Sequence, residues 1–456
     1  MTYATAAPNL SRTTVQPPIQ PPPGGASGLP RLLPEHGAVP VDLPTHLGHH
    51  GRPPYRGQAR LLIPLLEESG LTGRGGAAFP VSRKLTAVAD AGTRPIVIGN
   101  GAEGEPASDK DKSLLWISPH LVLDGLQLAA EAVGSSSVGL YVHRSPRLQE
   151  RLRAALAERA AAGIDQAPVE LIDAPPRFLA GEESALASRA NGGAAWPRFK
   201  QPRVFERGVA GRPTLVQNVE TLAHLALIAR YGARWFRSLG TAEEPGSMLC
   251  TLHQADGTRN VVETALGTPL RNLLRLDDGA GGSGGAGPRA STAQAVLVGG
   301  YHGAWLPASL AAGMTLSNAA LRPAGAFTGA GVLAALPADR CGVAETARVT
   351  RYLALESAGQ CGPCFNGLPR IATVLDELAG SRPDRRALAD IKRWAGLVEG
   401  RGACHHPDGT VRFVRSALQA FRAEIQLHED GRCTAPGARP FLPLPAATAT
   451  TDADWS

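Results

Sequence analysis

The chain has 456 residues, 43% hydrophobic and 19% charged, and its 46 basic and 40 acidic side chains leave a formal net charge of +6. That length implies more than one domain, with three as the prior, and no window reaches the run of about 20 apolar residues that a membrane-spanning helix needs. The basic residues are dispersed and not interleaved with stacking aromatics, which argues against a nucleic-acid groove and leaves solvated helix faces or an acidic protein partner as the readings of the mild positive balance.

Residues 1–45 read as a disordered, Pro-rich lead-in with no apolar h-region, so the expected location is cytoplasmic. "QARLLIPLLEESG" then has helical spacing, and "GLTGRGGAAFP" (70–80) follows it. Gly73, Arg74, Gly75 and Gly76 match the dinucleotide pattern G-x-G-x-x-G/A, but the loop follows a helix where that fingerprint requires a strand. What remains is bare backbone that a phosphate or planar ring can approach, or a glycine-rich connector. "RPIVIGN" (94–100), "SVGLYVH" (137–143) and "APVELIDAP" read as strands separated by helices, an α/β layer extending to about residue 240. The turn after the first strand, "GNGAEGEPASDKDK", gathers Asn100, Glu103, Glu105, Asp109 and Asp111 where α/β sheets place their ligands, a solvated acidic loop with internal Lys pairing being the alternative. A second acidic turn, "AGEESAL", carries Glu182 and Glu183, and "GRPTLVQNVETLAHLA" leads Thr214 and Asn218 into a helix, where an ordinary cap would also explain them.

Residues 241–336 have the texture of a small α+β domain, with "SMLCTLHQ", "RNVVETAL" and "QAVLVGG" as strands, the helix "TPLRNLLRL" and a Gly/Ser loop at 277–292. Residues 337–430 read as a helical bundle, in which "LPRIATVLDELAG" and "VRFVRSALQAFRAEIQ" each carry one apolar face, and 431–456 as a flexible tail. Six cysteines in a chain of this length do not suggest a disulfide scaffold; Cys250 and Cys341 stand alone as core or neutral positions. Cys361 and Cys364 form a C-x-x-C pair at the opening of the bundle, with Cys404 forty residues on, beside His405 and His406. That set suits an iron–sulfur cluster or a Cys₃His zinc site.

In order, "GLTGRGGAAFP", "NGAEGEP", "AGEESAL", "QNVET" and "ESAGQCGPC" resemble the five motifs of the NADH-binding flavoprotein family of respiratory complex I and its relatives in bidirectional hydrogenases and formate dehydrogenases. The resemblance covers roughly residues 45–430. It implies a Rossmann-like FMN domain over 46–240, a ubiquitin-like SLBB β-grasp domain over 241–336 and a helical domain holding one 4Fe–4S cluster. By residue matching, Gly73, Gly75, Gly76, Lys84, Asn100, Glu103, Glu183, Thr214 and Asn218 would contact FMN, and Phe79, Glu105, Glu183 and Lys200 would lie along the nicotinamide nucleotide. Arg74 and Glu182, within the same motifs, are cofactor-binding candidates with them, and Cys361, Cys364 and Cys404 are the cluster ligands. No side-chain nucleophile is implied, because FMN carries the chemistry.

The departures from the family are local. Its first cluster cysteine is Ala358 here, so Cys433, His405, His406 or solvent would supply a fourth ligand, or the cluster has three irons or is lost. The flavin-side aspartate is Ala102, an asparagine is Gln217, and two phenylalanines at the adenine end are Ala87 and Arg203, the latter raising the question of NADPH. The expectation is a flavin-dependent NAD(P)H:acceptor oxidoreductase subunit serving a ferredoxin-like or other iron–sulfur partner. The alternatives are a non-catalytic electron-transfer or assembly subunit that has lost nucleotide binding, and a structural zinc in place of the cluster.

Overall fold

Strands that are apolar on both faces form parallel sheets covered by helices, and the first half of the chain has that character. In the structure, a computed structural model that describes residues 28–34, 39–54, 59–91, 94–199, 201–276, 293–381, 384, 386–445 and 452–456, β1 (Ile96–Gly101), β2 (Ser137–His143), β3 (Val169–Ala174) and β4 (Thr214–Asn218) form a parallel sheet in the order β3-β2-β1-β4. β4 is absent from the strands expected on sequence. "TLVQN" is short and runs straight into a capped helix, and only its pairing with β1, Gly99 against Gln217 and Asn100 against Asn218, reveals it. The strand order reverses between β1 and β4, successive strands being added to one side of β1 and then to the other, which makes their carboxyl ends the topological switch point where open α/β sheets bind ligands.

Helix Pro119–Val133 packs on helix Val219–Phe236, both almost wholly buried. They meet at Gly125, where a Cβ would lie 1.9 Å from the Leu222 carbonyl oxygen. Asp124, beside that crossing, is fully buried and meets three side chains from other helices: His46 Nε2 at 2.7 Å, Arg159 Nη2 at 2.8 Å and the Arg230 guanidinium. These partners overcome the cost of burial and hold its carboxyl well below the ordinary range. His46 lies on helix Leu43–His50, so part of the expected disordered lead-in is ordered. Leu32 is also in the core, and the Arg31 and Leu32 amides donate to Glu263 at 2.7 and 2.8 Å.

The second sheet has five strands in the order β6-β5-β9-β7-β8: β5 (Ser247–His253), β6 (Arg259–Ala265), β7 (Ala293–Val298), β8 (Ala304–Pro307) and β9 (Val332–Pro337). β5 and β9 are parallel and the other pairs antiparallel. β8 and β9 add to the three strands expected there, and the Gly/Ser loop 277–292 lies outside the described residues. From Gly342 the chain is helical, and the long amphipathic segment near its end breaks at Phe421 into His406–Ala420 and Arg422–Glu429. Residues 431–445, expected to be flexible, pack against the bundle instead. Leu442 is buried, and the Phe441 and Leu442 amides donate to Glu345 at 3.0 Å each. Trp455 returns to the first domain, where its carbonyl accepts from the Ala195 amide at 2.7 Å and Arg177 stacks over its ring at 4.8 Å.

Candidate functional site

The glycine loop is a pinched turn above the switch point. Its neck is closed by the Gly73 amide donating to Phe79 O at 2.9 Å and the Val81 amide to Leu71 O at 3.0 Å. Gly76 sits at φ +102° and Ala78 at +50°, so the tip lies in the left-handed region. A Cβ on Gly75 would lie 3.2 Å from the Asn218 Cβ, which sets the loop directly against the carboxyl end of β4. Arg74 plays a different part from its neighbours. Its amide donates to Thr221 Oγ1 at 2.8 Å, and its buried guanidinium reaches Ser247 O, Pro245 O and Thr72 Oγ1. It fastens the loop to β5 and the turn before it. Phe79, at the exit of the loop, is 53% exposed.

Beneath the loop lies a charged, buried floor. Asn218 caps helix Val219–Phe236 by accepting the Glu220 amide at 3.0 Å, and its Nδ2 donates to Asp111 Oδ2 at 2.8 Å. Lys110 bridges Asp111 at 2.7 Å and Glu220 at 2.8 Å, and Glu220 also accepts the Leu249 amide of β5. The side chain of Thr214, at the start of β4, bonds within its own turn, accepting the Val209 amide at 2.9 Å and donating to Arg212 O at 3.0 Å. It therefore stands at the opposite end of β4 from Asn218. Sequence reasoning flags Asp111 in the turn after β1 but not its pairing with Lys110 and Glu220. Their burial depends on β5 closing over them.

The acidic turn after β1 divides by role. Asn100 donates to Gly181 O at 2.8 Å and accepts the Ala102 amide, which ties β1 to the second acidic turn. Glu103 faces inward, taking the Asp111 and Lys112 amides at 3.2 Å each and the Ser108 hydroxyl at the start of helix Lys110–Ile117. Glu105 accepts the Tyr301 amide at 2.8 Å and the Ala107 amide at 3.2 Å. Burial pushes its carboxyl up to about 7. Glu182 is the N-cap of helix Glu183–Ala190, accepting the Ser184 and Ala185 amides at 2.9 and 3.1 Å. Glu183 projects outward and pairs with Lys84 at 2.5 Å. Ser184, one residue on, lines a cleft of about 570 Å³ that also includes Asn191, Arg198, Phe199 and Arg207. Lys200 lies outside the described residues.

This arrangement fits a flavin nucleotide. Bare amides and a left-handed tip overlie a strand-end switch point, carboxylates and amides converge beside it, and Gln217 Nε2 at the end of β4 is buried without a hydrogen-bond partner.

In the helical domain, Cys361, Cys364 and Cys404 lie together. Burial pushes the Cys364 thiol up to about 12, and the neighbouring Cys361 and Cys404 sulfurs push the same way. Three neighbouring cysteines at this spacing are a donor set that an iron–sulfur cluster can use. Three sulfurs are present, and Ala358 leaves the fourth place without one. Of the alternative fourth ligands, His406 is committed elsewhere: its Nε2 meets Leu353 O at 2.8 Å and its Nδ1 meets His302 at 2.9 Å. Cys433 belongs to a separate cluster with Cys341, Glu424 and His428.

Comparison with known proteins places the two sites in one family. The Nuo51 FMN-binding domain family matches residues 66–227, and the NADH-ubiquinone oxidoreductase-F iron–sulfur binding region matches 344–428. The second F-type chain of Rhizobium meliloti NADH-quinone oxidoreductase is 30% identical over 386 residues, covering 82% of this chain and 90% of that protein. The F-type chain of the Mycobacterium tuberculosis enzyme is 30% identical over 409 residues, covering 84% and 86%. Among solved structures, air-oxidised NAD⁺-reducing NiFe hydrogenase superposes with a TM-score of 0.75 at 28% identity, over 90% of this chain and 67% of that one. The H₂-reduced form gives 0.72 at 27% identity, and there the match spans 81% of this chain and 62% of that one. With the glycine loop, the switch point and Cys361, Cys364 and Cys404 all inside the matched regions, the chain belongs to the F-type family of NADH-quinone oxidoreductase subunits.

Proposed function

We infer that this chain is an NADH-oxidising flavoprotein subunit that delivers electrons singly to a partner protein. The observation that carries the reading is the glycine loop resting on Asn218 at the β1/β4 switch point, inside the region matched by an FMN-binding family. FMN, when bound, supplies the conversion between two-electron and one-electron transfer, and an iron–sulfur centre on Cys361, Cys364 and Cys404 supplies the outlet.

The chain's own residues position and select. Gly73, Gly75 and Gly76 keep side chains out of the space over the switch point, and Asn100 and Asn218 fix the strand ends beneath it. Phe79 presents an exposed ring to a nucleotide. Glu105 and Glu183 accept hydrogen bonds from its hydroxyl and carboxamide groups, and Lys84 orients Glu183. The 570 Å³ cleft, with Arg198 and Arg207, would take the adenosine and phosphate end. The five-stranded sheet, with its parallel β5–β9 pair, would serve as the SLBB β-grasp module, holding the floor closed through Glu220 and Glu105. The partner would be a ferredoxin-like or other iron–sulfur protein. No described helix is long and apolar enough to cross a membrane.

Steady-state reduction of ferricyanide by NADH tests this. The FMN- and iron–sulfur-reconstituted chain should turn over, and Lys84→Ala should raise the KM for NADH about tenfold, the loss expected for one charge-assisted contact. Absence of turnover in a chain that retains FMN would refute it. Running Arg203→Phe in parallel with NADH and NADPH addresses the exposed arginine at the adenine end: a shift in the preference ratio toward NADH assigns it that role, and an unchanged ratio removes it.

A further inference from the structure

The C-terminal domain contains a second cluster of metal-ligating groups. Cys341 is the N-cap of helix Gly342–Leu355, Glu424 and His428 are one turn apart on helix Arg422–Glu429, and Cys433 lies in the loop that follows. One ligand atom from each lies within 4.8 Å of all the others. Cys341 Sγ is 3.2 Å from His428 Nε2 and 3.7 Å from Glu424 Oε1, and His428 Nε2 is 3.2 Å from the same Oε1. A tetrahedral zinc ion with bonds of about 2.0 to 2.3 Å holds its ligand atoms about 3.3 to 3.8 Å apart. The three spacings among Cys341, Glu424 and His428 scatter closely about that range, and Cys433 Sγ lies within 4.8 Å of each.

The surroundings orient each ligand. His428 is fully buried, and its Nδ1 is 2.9 Å from Leu378 O and 3.1 Å from Ser381 Oγ. A carbonyl can only accept, so Nδ1 carries the proton and the Nε2 lone pair faces the cluster, the backbone-to-histidine support that metal sites use. Glu424 is held from behind by the Thr434 amide at 3.0 Å and hydroxyl at 2.7 Å. Cys341 Sγ accepts the Ala344 amide at 3.3 Å, and Cys433 Sγ accepts the Ala435 amide at 3.4 Å. The first of those amides belongs to a helix N-terminus, which stabilises a thiolate. A cleft of about 300 Å³, lined by Cys341, Cys433 and Ser381, gives access from solvent.

We propose that Cys341, Glu424, His428 and Cys433 form a structural zinc site, distinct from the iron–sulfur site at Cys361, Cys364 and Cys404. Closed four-coordinate ligation by two thiolates, an imidazole and a carboxylate leaves no open position for catalysis. Binding releases the thiol protons and converts metal affinity into folding free energy. The site would clamp the start of helix Gly342–Leu355 to helix Arg422–Glu429 and anchor the segment 434–445, which covers the bundle.

The test is elemental analysis and zinc-edge X-ray absorption on the full chain, purified anaerobically. The expected result is about one zinc per chain with two sulfurs at about 2.3 Å and two lighter ligands at about 2.0 Å. Zinc should fall at least about tenfold in Cys433→Ser and His428→Gln and stay unchanged in Cys361→Ser, consistent with the 10- to 100-fold or greater affinity losses caused by altering such sites. A chain that takes up no zinc from zinc-supplemented buffer would overturn the proposal. So would zinc lost with Cys361→Ser instead of Cys433→Ser, or a Cys341–Cys433 disulfide in the intact mass. The absorption spectrum of the unmutated protein decides the matter even if a variant fails to fold.

Discussion

Two residues carry most of what can be tested singly at the flavin site. Gly76 has a φ of +102°, where any side chain is strained by about 1 to 3 kcal/mol. Gly76→Val should lower bound FMN severalfold, measured by released flavin per chain, while the far-ultraviolet circular dichroism stays unchanged; normal flavin content would show that the loop tip does not matter. Glu105 holds its proton to about 7 when folded, against 4.5 as its ordinary value. Between those values the folded chain binds more protons than the unfolded one, so its contribution to stability is greatest below pH 4.5 and declines as pH rises through 7. The slope from this one group is at most about 1.4 kcal/mol per pH unit. Glu105→Gln should flatten that part of a melting-temperature profile, and an unaltered slope would assign it elsewhere. The candidate residues were legible because glycines, paired glutamates and C-x-x-C have few structural uses in such density. Their separate roles were not. That Arg74, Glu103 and Glu182 direct side-chain atoms at backbone groups follows from packing partners more than a hundred residues away in the case of Arg74, and from helix starts in the case of the two glutamates.

At the level of helices and strands, the stability of the flavin domain rests on one helix crossing and one buried charge. Gly125 lets helices Pro119–Val133 and Val219–Phe236 touch backbone to backbone, with only 1.9 Å available for a Cβ. Gly125→Ala should force them apart and cost several kcal/mol in denaturant unfolding, an overpacking effect at the upper end of its usual range. Asp124→Ala removes the carboxylate shared by Arg230 and by Arg159, which keeps Asp165 as a partner, and should cost about 3 kcal/mol. A loss under about 1 kcal/mol for both would mean that the crossing is not the anchor described here. β1, β2, β3 and the amphipathic helices could be read from apolar runs and periodicity. β4 could not, because five residues ending in an N-cap carry no period of their own. The break at Phe421 was hidden by an apolar stripe that continues across it.

Across the full chain, the sheets and the bundle are joined by polar contacts close to the site. Arg74 and Glu220 join the flavin domain to β5, Glu105 joins it to Tyr301, and Arg177 joins it to Glu356 at the edge of the cluster motif. Order of domains was legible from texture and motif order; closure was not, since these contacts link residues far apart in sequence. The tail shows the same limit, its composition suggesting disorder while Leu442 and Trp455 are buried. Whether this chain passes electrons from NADH through FMN is decided by an anaerobic titration of the FMN-reconstituted full chain with NADH, followed by visible absorption. The flavin bands should bleach stoichiometrically and return when an oxidised iron–sulfur acceptor is added. Flavin that dithionite reduces and NADH leaves untouched would contradict that role.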